Sequence, residues 1–131
     1  EPLRQLVLYK ERDYSGGSDH YPSIADNIGV LDATEAERIA NYLRRGKVLI
    51  EFVSPTPDPY NPSDLVRNVV LSDGIYTWDG IILNWVEKYR IGLPKEFIDH
   101  INIVSNIIDT NSLNVKKLLK EFKLAKRIMM S

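Results

Sequence analysis

Residues 72–92 read SDGIYTWDGIILNWVEKYRIG, and the two halves of this stretch obey different periods. Asp73-Gly74 is a strong tight-turn pair, and Ile75-Tyr76-Thr77-Trp78 behind it has the β-branched and aromatic make-up of a short strand. Asp79 then suits a helix N-cap, because its carboxylate can accept from the orphan N–H groups of a first turn. Ile82, Trp85, Val86 and Tyr89 follow at i, i+3, i+4 and i+7, the spacing of a single apolar helical stripe. A strand that hands over to an inward-facing helix at one residue argues for an α+β architecture. It also separates the two tyrosines, Tyr76 on a strand and Tyr89 at the end of a helix.

Upstream, LRQLVLYKE (3–11) reads as a strand, and KVLIEFV (47–53) as a second, half-buried or buried one. Between them, residues 12–32 are rich in Gly, Ser, Asp and Asn and read as a long surface loop, with a helical turn near 23–27. TEAERIANYLRRG (34–46) is a helix whose Ala36, Ile39, Ala40 and Leu43 form one stripe. Thr34 and Glu37 have capping-box spacing at its start, and Gly46 supplies a left-handed stop. The four prolines of SPTPDPYNPSD (54–64) remove ladder donors and predict a loop, after which VRNVVLS (66–72) is a third strand. Downstream, Gly92 ends the helix of the opening stretch, and Pro94 suits the first turn of another. That helix, PKEFIDHINIVSNII, turns Phe97, Ile98, Ile101, Val104 and Ile108 inward. DTNS breaks it, and LNVKKLLKEFKLAKRIMM forms a final amphipathic helix with Val115, Leu118, Leu119 and Phe122 inward, followed by Ala125 or Met129. The expectation is a single globular domain over 1–131: an α+β fold with a small, mainly antiparallel sheet of about four strands, near 3–11, 47–53, 67–72 and 75–78, packed with three to four helices.

At 131 residues, 44% hydrophobic and 27% charged, the chain is long enough to bury a core and has the composition of a folded domain. It has no Cys, which excludes disulfides, thiolate metal ligands and a cysteine nucleophile. No apolar run approaches the roughly 20 residues that span a bilayer, so no membrane partner is expected and the default location is the cytoplasm. The chain opens on Glu1, which leaves a processed leader open. The net charge of −1 gives no overall pull towards polyanions, yet the halves differ: residues 1–66 sum to −4 and residues 67–131 to +3.

The opening stretch is similar to the signature of a small nuclease family that carries GIY and, further on, YIG on neighbouring antiparallel strands. Here the residues between Tyr76 and Tyr89 have helical period, Arg90 interrupts the second tripeptide, and the nuclease reading fails on geometry. His20 with Asp13 and Asp19 is one imidazole among irregularly spaced carboxylates, better read as a solvated loop than as a metal site. His100, near the edge of an apolar helix face, reads as a hydrogen-bonded structural imidazole. No serine sits in a nucleophile elbow, and Gly16-Gly17 does not open a phosphate loop. No catalytic, metal or cofactor site is expected. The last helix carries Lys116, Lys117, Lys120, Lys123, Lys126 and Arg127 against Glu121, which makes nucleic-acid binding through that helix the second functional reading. The plainer account is a solvated outer face, since Phe122, the aromatic there, lies on the buried stripe. Acids pair with aromatics in the loops instead: Asp13 with Tyr14, Asp19 with Tyr21, Asp58 with Tyr60 and Asp64, and Trp78 with Asp79. Rigid rings supply contact area at low entropic cost and carboxylates complement a basic surface, so these nine residues are the candidate partner-binding set.

YLRRG (42–46), LSDGIYTWDG (71–80) and YRIGLPKEFIDHI (89–101), in that order, resemble a layout found in small bacterial immunity proteins encoded beside polymorphic or contact-dependent toxins. The resemblance covers about the middle half of the chain, and its residues are a helix stop, a turn, a core aromatic and a helix start. It implies a shared scaffold and a partner that is a cognate toxin protein, a nuclease among the candidates. It carries over no site residue, because such inhibitors meet their toxins with differing surfaces. The expected function is that of a protein-binding inhibitor without enzymatic activity.

Overall fold

A computed structural model of the chain describes residues 3–6, 9 and 23–130, with side chains as far as Leu124. Its elements are β1 (Arg4–Gln5), α1 (Ala33–Arg44), β2 (Lys47–Glu51), β3 (Thr56–Pro57), β4 (Leu65–Val66), β5 (Val69–Ser72), β6 (Tyr76–Asp79), α2 (Gly80–Tyr89), α3 (Lys95–Val104) and α4 (Val115–Met130), with short 3-10 turns at Ile24–Asp26 and Thr110–Ser112. This is the expected α+β class. The main sheet has the order β1-β6-β5-β2, antiparallel at β2–β5 and β5–β6 and parallel at β1–β6. The β3–β4 pair prolongs the β2–β5 hairpin, so the proline-rich stretch is in part a two-stranded ribbon rather than a plain loop. Pro57 is tolerated there because this ribbon has only two strands and the missing N–H need face no neighbour.

Alternation along the strands divides the apolar side chains between two faces. Val69, Leu71, Tyr76 and Trp78 join Ile39, Leu43, Ile82, Trp85, Val86, Phe97 and Ile101 in the larger core beneath α1, α2 and α3. Leu3 and Leu49 meet Leu118 of α4 in a smaller core, with Ile50, Val70, Val115 and Phe122 at its margin. The β2–β5 register slips between Val48 and Ile50, so one extra residue bulges in β2. Leu49 and Ile50 therefore both turn towards α4, where strict alternation would have sent one of them away.

The stretch 72–92 folds as its periods dictate. Asp79 Oδ1 accepts from Ile81 N at 3.1 Å and Ile82 N at 3.4 Å, capping α2 one residue after the strand ends. Ile82, Trp85 and Val86 are each 0% exposed. Tyr76 packs edge-on against Phe97 at 4.9 Å, whereas Tyr89 packs against Tyr60 at 5.3 Å. The two tyrosines do not share a site.

Four boundary features differ from expectation. The N-cap of α1 is Asp32, accepting from Glu35 N at 2.7 Å, two residues ahead of Thr34, because a carboxylate is the better acceptor and lies just before the first helical residue. Gly46 does not provide a left-handed stop. A Cβ there would meet Trp78 Cζ2 at 2.7 Å, so glycine lets the indole lie against the chain. Nor does Gly92 end α2: Arg90, at φ 50°, is the left-handed cap. Helix α3 also stops at Val104, short of Ile108.

Candidate functional site

The C-terminal end of α2 gathers several segments at the surface. Arg90's left-handed turn presents two carbonyls sideways, and the chain before α1 uses both: Gly29 N donates to Tyr89 O at 2.8 Å and Leu31 N to Arg90 O at 3.0 Å. Gly29 has φ 76°, which glycine adopts without strain. Ile24 and Leu31 anchor this segment in the core, while Ile28 (45% exposed) and Val30 (59%) are left at the surface. Val30 lies over Gly92, where a Cβ would approach its Cγ1 to 3.0 Å. Tyr9 Oη reaches the same corner and donates to Gly92 O at 2.6 Å. On the other side the Tyr60 ring leans on Tyr89, and the Lys88 ammonium binds Asp64.

The segment before α1 is acidic, while the exposed Arg90 beside Gly29 and Lys88 bring positive charge to the same corner. Asp26, Asp32, Glu35 and Glu37 fall within residues 23–37, which contain no Lys or Arg. Next to them a groove of about 270 Å³ runs between α1 and α2, floored by Ala33, Ala36 and Ala40 and rimmed by Glu37, Glu87 and Arg90. The alanines make it narrow, and its polar groups are on the rim. Among the described residues no group of three or more His, Asp or Glu side chains converges as a metal site would require.

The nine residues singled out from sequence fall into four situations. Asp13, Tyr14, Asp19 and Tyr21 lie outside the described residues. Tyr60 and Asp64 join the corner just described; hydrogen bonding to Lys88 holds the Asp64 carboxyl below its ordinary range. Asp79 is half-buried and occupied in capping α2. Asp58 and Trp78 point inward, against the reading of both as surface groups. Asp58 is 0% exposed and accepts from Trp85 Nε1 at 2.8 Å, Tyr60 N at 2.8 Å and Asn84 Nδ2 at 3.4 Å. It ties the proline-rich segment to α2, since a buried carboxylate persists only with donors on its lone pairs. Trp78 is 2% exposed, with Nε1 donating to Leu43 O at 3.1 Å. Neither can touch a docked partner without the core opening. Ile28 and Val30 escaped the sequence reading altogether; two aliphatics flanking a glycine look like core until the left-handed Arg90 fixes which way they face.

A second cluster is internal. Asp73, 2% exposed, accepts through Oδ1 from Ile75 N at 2.9 Å and Tyr76 N at 2.8 Å. Its Oδ2 accepts from Tyr42 Oη at 2.5 Å and lies 2.7 Å from His100 Nε2. One carboxylate thus joins the β5–β6 turn, α1 and α3. Burial, and then the bond to Asp73, raise the Tyr42 phenol well beyond its ordinary range. His100 is the hydrogen-bonded imidazole its position implied. Four groups fill the acceptor positions of the Asp73 carboxylate, so the cluster braces the turn and the two helices against one another.

No protein family, no curated protein and no solved structure matches the chain.

Proposed function

We propose that the chain is a protein-binding inhibitor, an immunity protein that acts in the cytoplasm by covering the active or docking site of a cognate toxin. The observation that carries this reading is the corner at the end of α2. Exposed Ile28 and Val30, with Tyr60 at 37% exposure nearby, offer an apolar centre. Asp26 and Glu37 add negative charge in the adjoining segment, with Asp32 engaged as the cap of α1 and Glu35 paired with Arg38. An apolar centre within a polar rim is how protein interfaces are built, and the sign of the rim selects a basic partner surface such as the substrate groove of a nuclease. A standard interface takes about 800 Å² from each partner, about a tenth of the 7849 Å² this chain exposes. The resemblance of residues 42–46, 71–80 and 89–101 to the layout of immunity proteins of toxin systems points the same way.

The test is co-expression with each secreted protein encoded beside this gene. One of them should arrest growth alone, spare the cell when this chain is present, and co-purify with it. Ile28→Asp with Val30→Asp should abolish the complex. Asp26→Asn with Glu37→Gln should slow association about tenfold at low salt and much less at high salt, as for steering by rim charges. A protective complex that survives both double variants unchanged would refute this placement of the interface.

A further inference from the structure

We infer that the outer face of α4 is a docking surface for the phosphate backbone of nucleic acid, independent of the corner at α2. Lys116, Lys117, Lys120 and Lys123 are all exposed. The helix cannot roll to hide them, because Leu118 is 6% exposed against Leu3 and Leu49, with Val115 and Phe122 beside it. Five exposed cations elsewhere, Arg38, Arg44, Arg67, Lys88 and Lys95, each hold a carboxylate. Among the described residues none of the four lysines of α4 takes part in an ion pair, and residues 115–124 sum to +3 with Glu121 as their sole acid. The acids near the start of α1 do not compensate, because α1 packs on the other face of the sheet.

Geometry favours a regular polyanion. At 1.5 Å rise per residue, Lys116, Lys120 and Lys123 mark out about 10 Å along one side of the helix. One strand of a duplex presents about three phosphates over that length. A lipid surface fits less well, since a helix that lies in a membrane needs a free apolar face and that of α4 is spent on the sheet. With Phe122 turned inward, the described part of α4 itself offers no exposed ring to stack on bases, so the lysines would read backbone and not sequence.

Fluorescence anisotropy of a short labelled duplex titrated with the full chain tests this. Expected is weak, sequence-independent binding that falls about 40-fold between 50 and 200 mM salt, as release of counterions from about three phosphates requires. Lys116→Ala with Lys120→Ala and Lys123→Ala should lose most of that salt dependence and more than tenfold in affinity at low salt. The corresponding triple Gln variant guards against any loss of helix, with circular dichroism confirming the fold of both. Lys95→Ala, on α3, should bind as the unmodified chain does, as should Asp26→Asn with Glu37→Gln. No anisotropy change at low salt, equal binding by the triple variants, or stronger lysine-dependent capture by phosphatidylserine vesicles than by the duplex would each overturn the inference.

Discussion

Replacing Asp73 by Ala would leave four groups without their acceptor at one point in the core. The carboxylate is 1% exposed and holds Ile75 N, Tyr76 N, Tyr42 Oη and His100 Nε2 at 2.5–2.9 Å, so water cannot substitute without the site opening. Each buried donor left unpaired costs about 1–3 kcal/mol, but four such costs do not add, because the turn relaxes and some donors find new acceptors. With that relaxation, about 4 kcal/mol in total is the expectation for four donors losing one acceptor. For a chain of this length that lowers the thermal midpoint by roughly 12–20 °C. Asp73→Asn keeps an oxygen for the two backbone donors and places an amide nitrogen towards Tyr42 and His100, so about half the loss is expected. Urea unfolding followed by tryptophan fluorescence measures both. Combining Asp73→Ala with Tyr42→Phe should give a coupling of about 1–3 kcal/mol, since the phenol has nothing to lose once its acceptor has gone. A cost below about 1 kcal/mol for Asp73→Ala, or strict additivity with Tyr42→Phe, would refute the view of Asp73 as the brace.

Alkaline titration gives a signed test of the same cluster. The folded Tyr42 holds its proton more tightly than the unfolded chain does, so its stabilisation is complete below about pH 10 and declines as pH rises beyond it, by up to about 1.4 kcal/mol per pH unit. Tyr42→Phe should flatten that part of the urea-midpoint profile. Gly80→Ala would normally stabilise a helix by about 1 kcal/mol, but the new Cβ would stand 2.3 Å from the Arg67 carbonyl oxygen. A loss at or above the top of the roughly 1–3 kcal/mol range is expected, exceeding that of Gly46→Ala, whose tightest neighbour, Trp78 Cζ2 at 2.7 Å, is a side-chain atom rather than backbone. Trp85→Phe removes the Nε1 donor from buried Asp58 and should cost about 2–4 kcal/mol by thermal unfolding. Adding Asp58→Asn should recover part of it, because a neutral amide leaves no buried charge short of a donor while its oxygen can still accept from Tyr60 N.

Much of the architecture could be read from local chemistry. Asp79, the indole of Trp85 and the stripe around them are consistent at every level, so the strand-to-helix change in 72–92 needed no tertiary information. Features set by distant neighbours could not be read. Gly46 looked like a helix stop because nothing in its vicinity announces that Trp78 needs its space. Asp58 looked like a surface acid between prolines, and only the fold brings Trp85 and Asn84 to its lone pairs. Thr34 and Asp32 are both competent caps, and the choice turned on which lies immediately outside the first turn. For the candidate interface, Tyr60 and Asp64 could be picked from composition, whereas Ile28 and Val30 acquired their exposure from a left-handed arginine sixty residues further along.

The bulge in β2 has a consequence for how the molecule behaves among its own copies. Among the described residues β2 forms one edge of the main sheet, and KVLIE would be a self-complementary sequence in a two-fold antiparallel pairing, Lys47 meeting Glu51 of a neighbour. The extra residue at Leu49 sends those two charges to opposite sides of the ribbon and kinks the row of amides that a neighbour would have to follow. The irregularity therefore makes this rim of the sheet a poor template for a strand from another copy. Deleting Leu49 should bring back a straight, sticky border, visible as growing light scattering in concentrated solution.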